Sequence, residues 1–188
     1  MSSHFKNNSG FSITELLVSI GIVLTILTVI ISNQATYTDG IALSNLADDI
    51  SLTISQAQSY GAGVRETAPG SLDFSRAYGL SFNLSSNKTY IYFIDLDGDK
   101  IYDSGEILSQ TEISRGNYIS DICAVLPGNI SECGIGQVDI SFTRPKTEPK
   151  LIFSASWPTA IGAKLVLKSP TGDTKSVTVY NTGQITVP

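Results

Sequence analysis

Five carboxylates crowd one twelve-residue segment near the middle of this chain. The segment 95–106, DLDGDKIYDSGE, has acidic side chains at its positions 1, 3, 5, 9 and 12, namely Asp95, Asp97, Asp99, Asp103 and Glu106. The backbone carbonyl of Ile101 falls at position 7. Ca²⁺ takes about six to eight oxygen ligands, and this spacing is typical of a calcium loop closed by a bidentate carboxylate. We predict a structural Ca²⁺ site here, with a solvated acidic turn as the alternative.

The segment departs from an EF-hand loop at position 6, where Lys100 replaces the usual Gly. A left-handed backbone costs a non-Gly residue about 1 to 2 kcal/mol, so we expect a different path or weak binding. Strand-like residues flank the segment at 90–94 and 107–108. The ligands are therefore expected on a loop between strands, without the helices of a calcium sensor.

One more carboxylate, Glu15, lies in an apolar run. Residues 1–10 are polar, whereas residues 11–32 are almost continuously apolar and long enough to span a bilayer. A charged carboxylate in hydrocarbon costs about 2.5 to 3.5 kcal/mol on insertion scales, so Glu15 needs a partner or a function. Since no A-x-A-like cleavage site follows the run, we expect this helix to be retained after processing.

The string 10–18, GFSITELLV, resembles the class III prepilin signal of type IV pilins and pseudopilins. The resemblance implies that a prepilin peptidase cuts after Gly10 and that the new terminal residue, Phe11, is methylated. It also implies that Glu15 neutralises the terminal amine of a neighbouring subunit during assembly. A plain membrane anchor with a stray Glu is the alternative.

The same resemblance implies a location and a set of partners. The chain would be a single-pass cytoplasmic (inner) membrane protein with an extracytoplasmic head, and would then enter a cell-surface pilus or a periplasmic pseudopilus of type II secretion or competence. Its partners would be other pilin or pseudopilin subunits, the prepilin peptidase, the inner-membrane assembly platform and, before assembly, membrane lipid. The alternative function is a tip-exposed minor pilin whose head binds DNA or another extracellular ligand.

An extracytoplasmic head would allow Cys123 and Cys133 to form a disulfide around the loop that contains residues 127–129. Two free thiols or half of a metal site are the alternatives. Zinc is disfavoured, because the one histidine, His4, lies in the predicted leader. A mature chain without histidine also lacks the commonest general base, so we expect no enzyme, and a hydrolase is the least favoured alternative.

A long helix must hold the N-terminal residues. Apolar residues recur at helical spacing between Ile41 and Ala57, and Gly61 and Gly63 provide a stop after Tyr60. We predict a leader over 1–10, a helix over 11–60 that spans the membrane over 11–32, and a β-rich head over 61–188. Residues 37–40, YTDG, could break or kink the helix.

Short apolar or alternating runs between turn residues predict strands in the head. They are Ala77–Asn83, Thr89–Ile94, Glu106–Gln110, Gln137–Thr143, Leu151–Phe153, Lys164–Lys168, Ser176–Tyr180 and Gln184–Val187. The last two would form a hairpin that turns at 181–183. No crossover helix separates the strands, so the predicted class is α+β, with the second half of the helix packed on one or two antiparallel sheets.

The head is similar to H-type minor pseudopilins and their fimbrial T relatives in its post-helix polar stretch and in a closing strand that begins with Thr182-Gly183. Some DNA-binding fimbrial T proteins have Arg on the closing strand after this Gly, where this chain has Gln184 and Thr186. Nucleic acid is therefore a disfavoured partner, as is also expected from a net charge of −5. Three N-x-S/T strings fit glycosylation or plain surface turns; they begin at Asn83, Asn87 and Asn129.

Overall fold

The protein, seen in a computed structural model, is described over residues 10–63, 75–128 and 130–188, without the side chains of 32–37. Over these residues it has one long helix and two antiparallel sheets, which confirms the predicted α+β class. The chain divides into two compact units, residues 1–38 and 39–188. The predicted leader, apart from Gly10, lies outside the described residues.

Helix α1 comprises Ile13–Ala62 and is not broken at residues 37–40, where a break or kink was expected. Within it, Ile13–Ile31 has a mean hydropathy of 2.4 and is long and apolar enough to cross a membrane. The protein buries none of this segment. The hydroxyls of Ser19, Thr25 and Thr28 donate to backbone carbonyls three or four residues earlier. These polar groups are therefore satisfied within the helix, as a hydrocarbon environment requires.

The later part of α1 carries an apolar stripe. Its side chains recur every three or four residues and are at most 1% exposed: Leu43, Ala47, Ile50, Ile54 and Ala57. They belong to the same buried cluster as the large apolar residues of the strands, among them Phe82, Ile119, Phe142 and Leu165.

The described strands, in chain order, are β1 (Tyr78–Asn83), β2 (Thr89–Ile94), β3 (Ile107–Glu112), β4 (Tyr118–Leu126), β5 (Ile130–Cys133), β6 (Gln137–Phe142), β7 (Lys150–Phe153), β8 (Gly162–Lys168), β9 (Thr174–Tyr180) and β10 (Ile185–Thr186). One sheet has the order β3-β2-β1-β6-β7, and the other has the order β10-β9-β8-β4-β5. A short 3₁₀ turn, Leu84–Ser86, connects β1 to β2.

The packing of the first sheet leaves no room for a side chain at Gly79 on β1. A Cβ there would lie 2.6 Å from the Ile140 carbonyl oxygen and 2.8 Å from the Phe93 ring. Aromatic rings also pair across the sheet, where the centroids of Phe82 and Tyr90 are 5.7 Å apart. Such cross-strand pairs stabilise the hairpin of β1 and β2, which presents the acidic segment at its far end.

Strands β4 and β5 were not predicted from the sequence. β4 pairs with β8 in the interior of the second sheet, and β5 is the edge strand beside it. The β4 ladder shifts register between Ile119 and Asp121, which disrupts the two-residue alternation that marks a strand. All four residues of β5 are exposed, so no apolar pattern distinguishes it.

Candidate functional site

The acidic loop, residues 95–106, joins the antiparallel strands β2 and β3. Ile94 donates its backbone N–H to the carbonyl of Glu106 over 3.0 Å, which closes the base of the loop. Asp95 and Glu106, at the two ends, are only 2% and 5% exposed. The loop is thus closed at its base by the pairing of β2 with β3, and its first and last carboxylates are buried.

Backbone amides hold the side chains of the loop in place. Glu106 accepts from Leu96 N at 2.6 Å through Oε1 and from Asp103 N at 3.1 Å through Oε2. Three aspartates each accept from an amide two or three residues ahead: Asp95 from Gly98, Asp97 from Asp99, and Asp99 from Ile101. Ordinary Asx turns have this pattern, and it orders the carboxylates without requiring an ion.

The loop brings together three of the predicted ligands. One carboxylate oxygen from each of Asp95, Asp97 and Asp99 lies within 4.8 Å of the other two. Asp103 and Glu106 are not in this group, although the Glu106 carboxylate bridges the two ends of the loop. Hard oxygen donors at such spacing suit Ca²⁺ better than a thiolate-preferring or imidazole-preferring metal.

Lys100 adopts the left-handed backbone that an EF-hand needs at its sixth position, with φ of 70°. The backbone is therefore not diverted at Lys100 itself, and weak binding, the other expectation, stays a prediction. The following amide, Ile101 N, donates to Asp99 Oδ1 at 2.7 Å, which helps to hold the turn. Gly98 supplies a second left-handed residue, with φ of 92°.

Burial raises the pKa of Asp95 above its ordinary value of 3.8, and the charges of Glu106 and Asp97 raise it further. The amides of Gly98 and Lys100 oppose this shift by donating to the carboxylate. The raised pKa of Asp95 thus comes first from burial and only then from the neighbouring acids.

Asp139 lies near the acidic loop and was not predicted from the sequence as a site residue. It lies on β6, is 2% exposed, and accepts from Gln137 Nε2 at 3.1 Å. Burial raises its pKa above 3.8, hydrogen bonds from Ser81, Gln137 and the Tyr102 amide lower it, and the charge of Asp99 raises it. A carboxylate on a strand whose other residues are uncharged, QVDISF, was the available signal.

The predicted disulfide is confirmed. Cys123 on β4 and Cys133 on β5 are bonded and face each other directly in the ladder. Asp121 lies close to both sulfurs and accepts from Gly134 N at 2.8 Å. Because both thiols are consumed in the bond, this group of residues is not a thiolate metal centre.

The N-terminal residues of the predicted signal are all exposed. Phe11 is 81% exposed, and Glu15 begins the first helical turn by donating its amide to the Ser12 carbonyl. Within the described part of the chain, the Glu15 carboxylate forms no ion pair. An acid in an apolar helix without an ion-pair partner among these residues is expected to have a partner or a function elsewhere.

Two of the three N-x-S/T asparagines serve local structure. Asn83 accepts from Ser85 N at 2.8 Å, which caps the 3₁₀ turn, and Asn87 follows the same turn. Asn129 lies outside the described residues.

Comparison of the chain with protein-family models, with curated proteins and with solved structures finds no match.

Proposed function

We propose that this protein is a type IV pilin-like subunit, processed by a prepilin peptidase and assembled into a pilus or pseudopilus through its N-terminal helix. One observation carries the proposal: the unburied apolar segment Ile13–Ile31 begins two residues after Phe11 and contains a single carboxylate, Glu15, without an ion-pair partner among the described residues. A neighbouring subunit's amine would neutralise that charge inside a filament.

The exposed apolar surface of Ile13–Ile31 needs an apolar environment both before and after assembly. A helix that is apolar on all sides is stable only in lipid or against other apolar helices. Membrane lipid would cover it before assembly, and equivalent helices of other subunits would cover it afterwards. A disulfide-bonded β-rich head agrees with an extracytoplasmic location for residues 39–188.

We further infer that the second half of α1 packs on the sheets of the head. Gln58 donates from Nε2 to the carbonyls of Thr147 and Gly183, at 2.9 and 3.1 Å. Tyr60 and Tyr78 make an edge contact with centroids 5.9 Å apart. A side chain at Gly61 would overlap the Phe142 carbonyl, so glycine permits this close approach.

For the acidic loop we propose a structural Ca²⁺ site. The supporting observation is the left-handed conformation of Lys100 within a run of carboxylates at EF-hand spacing. Asp95, Asp97, Asp99, Asp103 and Glu106, with the Ile101 carbonyl, would supply the oxygens. The ion would neutralise the loop and fix the connection between β2 and β3, with no opening of the kind seen in sensors.

The assembly proposal is tested by Glu15→Gln in a host with an active type IV filament system. This isosteric change removes the charge but not the volume, so leader removal should continue while incorporation into filaments falls. Loss of one partner of a buried ion pair costs about 3 to 5 kcal/mol, which corresponds to a reduction of roughly a hundredfold to a few thousandfold. Quantitative immunoblots of sheared filaments and of membranes measure the ratio.

Ser19→Ala is the matched control, because its hydroxyl bonds only within its own helix, to the carbonyls of Glu15 and Leu16. We expect this variant to assemble normally. Unchanged incorporation of Glu15→Gln would show that Glu15 has no role in subunit pairing.

A further inference from the structure

A pocket of about 370 Å³ opens beside the loop that connects β6 to β7. Its walls come from that connection and from the tip of the acidic loop, and they include Ser141, Thr143, Arg144, Lys146, Lys150 and Lys100. All of these residues belong to the compact unit of residues 39–188. The volume is within the range of about 300 to 1,000 Å³ that is usual for small-molecule sites.

The charge of this pocket is opposite to that of the whole protein. Four basic residues line it against a single acid, Glu148, which gives the lining a net charge of +3 in a chain of net charge −5. Lys146 and Glu148 approach within 3.9 Å, but both side chains are largely exposed and the pair is weak. Among the described residues, neither Lys100 nor Lys150 has an ion-pair partner.

Ser141 provides an independent observation that points to a ligand. It lines the pocket, is 1% exposed, and its hydroxyl has no hydrogen-bond partner among the described residues. Buried hydroxyls without a partner are rare in folded proteins, since the lost hydration is not replaced. Ser141 and Lys150 are directly paired across β6 and β7, so their side chains leave the sheet on the same face.

We propose that this pocket binds a phosphate group, with the Ser141 hydroxyl and the Lys150 ammonium as its central donors. The dianion of a phosphomonoester only accepts hydrogen bonds, and the dianion of inorganic phosphate has a single O–H donor, so both match a lining of hydroxyl, ammonium and guanidinium donors. Lys100, Arg144 and Lys146 complete the positive surroundings. The occupant is free phosphate or the phosphate end of a small phosphomonoester.

The test is calorimetric titration of the full chain in a non-ionic detergent. A chelator removes calcium, because an ion bound in the acidic loop could itself bind phosphate. Inorganic phosphate should bind saturably, and sodium chloride at equal ionic strength should not reproduce the heat. Ser141→Ala and Lys150→Ala should each weaken the affinity at least about tenfold, the loss expected for a charge-assisted hydrogen bond. Lys88→Ala, outside the pocket, is the control and should leave the affinity unchanged.

Thermal melting without phosphate distinguishes a ligand-binding serine from a structural one. Ser141→Ala removes a buried hydroxyl without a partner, so its melting temperature should equal or exceed that of the wild type. A lower melting temperature together with an unchanged phosphate affinity would assign Ser141 to folding alone and overturn the proposal. Absence of saturable heat with the wild type, or equal weakening by Lys88→Ala, would overturn it as well.

Titration with glycerol 3-phosphate distinguishes the two proposed occupants, free phosphate and a small phosphomonoester. Tighter binding than inorganic phosphate would assign the remaining volume to an organic moiety, and equal binding would assign the site to the phosphate alone. Both results support a phosphate pocket. An oligonucleotide that binds at this face and is not displaced by inorganic phosphate would contradict a small-ligand site.

Discussion

The carboxylates of the acidic loop repel one another unless a cation lies among them. We therefore expect Ca²⁺ to stabilise the protein, since an ion that binds only the folded state adds about 2.7 kcal/mol at one hundred times Kd. Asp95→Asn and Glu106→Gln should both abolish this gain. Asp95→Asn should leave the calcium-free protein equally stable or slightly more stable, whereas Glu106→Gln should lower its stability, because the new amide nitrogen would face one of the two backbone N–H groups that donate to Glu106. Melting curves with and without millimolar calcium measure both effects.

Asp48→Asn is the matched control for these variants, because Asp48 is exposed on α1 and lies far from the loop in sequence. It should keep the full calcium response. If magnesium or sodium at matched ionic strength raised the melting temperature as much as calcium does, the segment would be a solvated acidic turn.

Asp139 should make the stability of the protein depend on pH. Its pKa is raised in the folded state, so its contribution to stability is fully present below the unfolded value near 3.8 and is lost as the pH rises through the folded pKa. The Asp139→Asn variant lacks this titration, so its stability should decline less across that interval. Denaturant unfolding at closely spaced pH values gives the two slopes, and parallel slopes would contradict the raised pKa.

Residue types and spacing were sufficient to predict the acidic loop, which is local along the chain, whereas the disulfide prediction also depended on the extracytoplasmic location that the resemblance implies. The backbone at Lys100 was not predicted, since side-chain type alone disfavours the conformation that it adopts. Asp139 and Ser141 were missed because their importance comes from non-local neighbours. β6 places them next to residues that lie about forty positions earlier or ten positions later in the chain.

At the scale of elements, the disulfide joins β5, the exposed edge strand, to the interior strand β4. Cys133→Ser should lower the free energy of unfolding by roughly 2 to 3 kcal/mol, the value expected for closing a short loop. Cys123→Ser should cost more, because Cys123 is fully buried and the new hydroxyl would need a hydrogen-bond partner. Denaturant unfolding under oxidising conditions compares the two variants with the wild type.

Adding a reductant is the internal control for this comparison. It should destabilise the wild type and have no effect on Cys133→Ser. Equal stability of the oxidised and reduced wild type would show that the bond contributes nothing to the hairpin.

Elements bounded by strong turn signals were predicted well. The β9–β10 hairpin turns at 181–183, where Gly183 has φ of 86°, as its position in the sequence indicates. β4 was missed because its bulge disrupts the alternation of apolar and polar residues, and β5 was missed because all of its residues are exposed. The order of strands in the two sheets was not predicted either, because pairing such as β1 with β6 depends on long-range packing.

For the whole molecule, we propose a division of the chain between two functions. The apolar helix would supply the surface for membrane and filament, and the disulfide-bonded head, with its acidic loop and basic pocket, would face the extracytoplasmic medium. The acidic composition that disfavours nucleic acid overall does not describe the surface locally, since the pocket beside β7 is basic. Any ligand of the head is therefore determined by these local sites and not by the net charge.

The central claim is that this chain is a prepilin, and the mass of its N-terminus after exposure to a prepilin peptidase tests it most directly. We predict a mature protein that begins at Phe11 and carries one added methyl group on its amine. Gly10→Val should retain the leader, and misfolding would not explain that result, because a Cβ at Gly10 meets no atom within 4 Å. An intact Met1 to Gly10 segment on wild-type protein, in cells where a known prepilin is fully processed, would contradict the account.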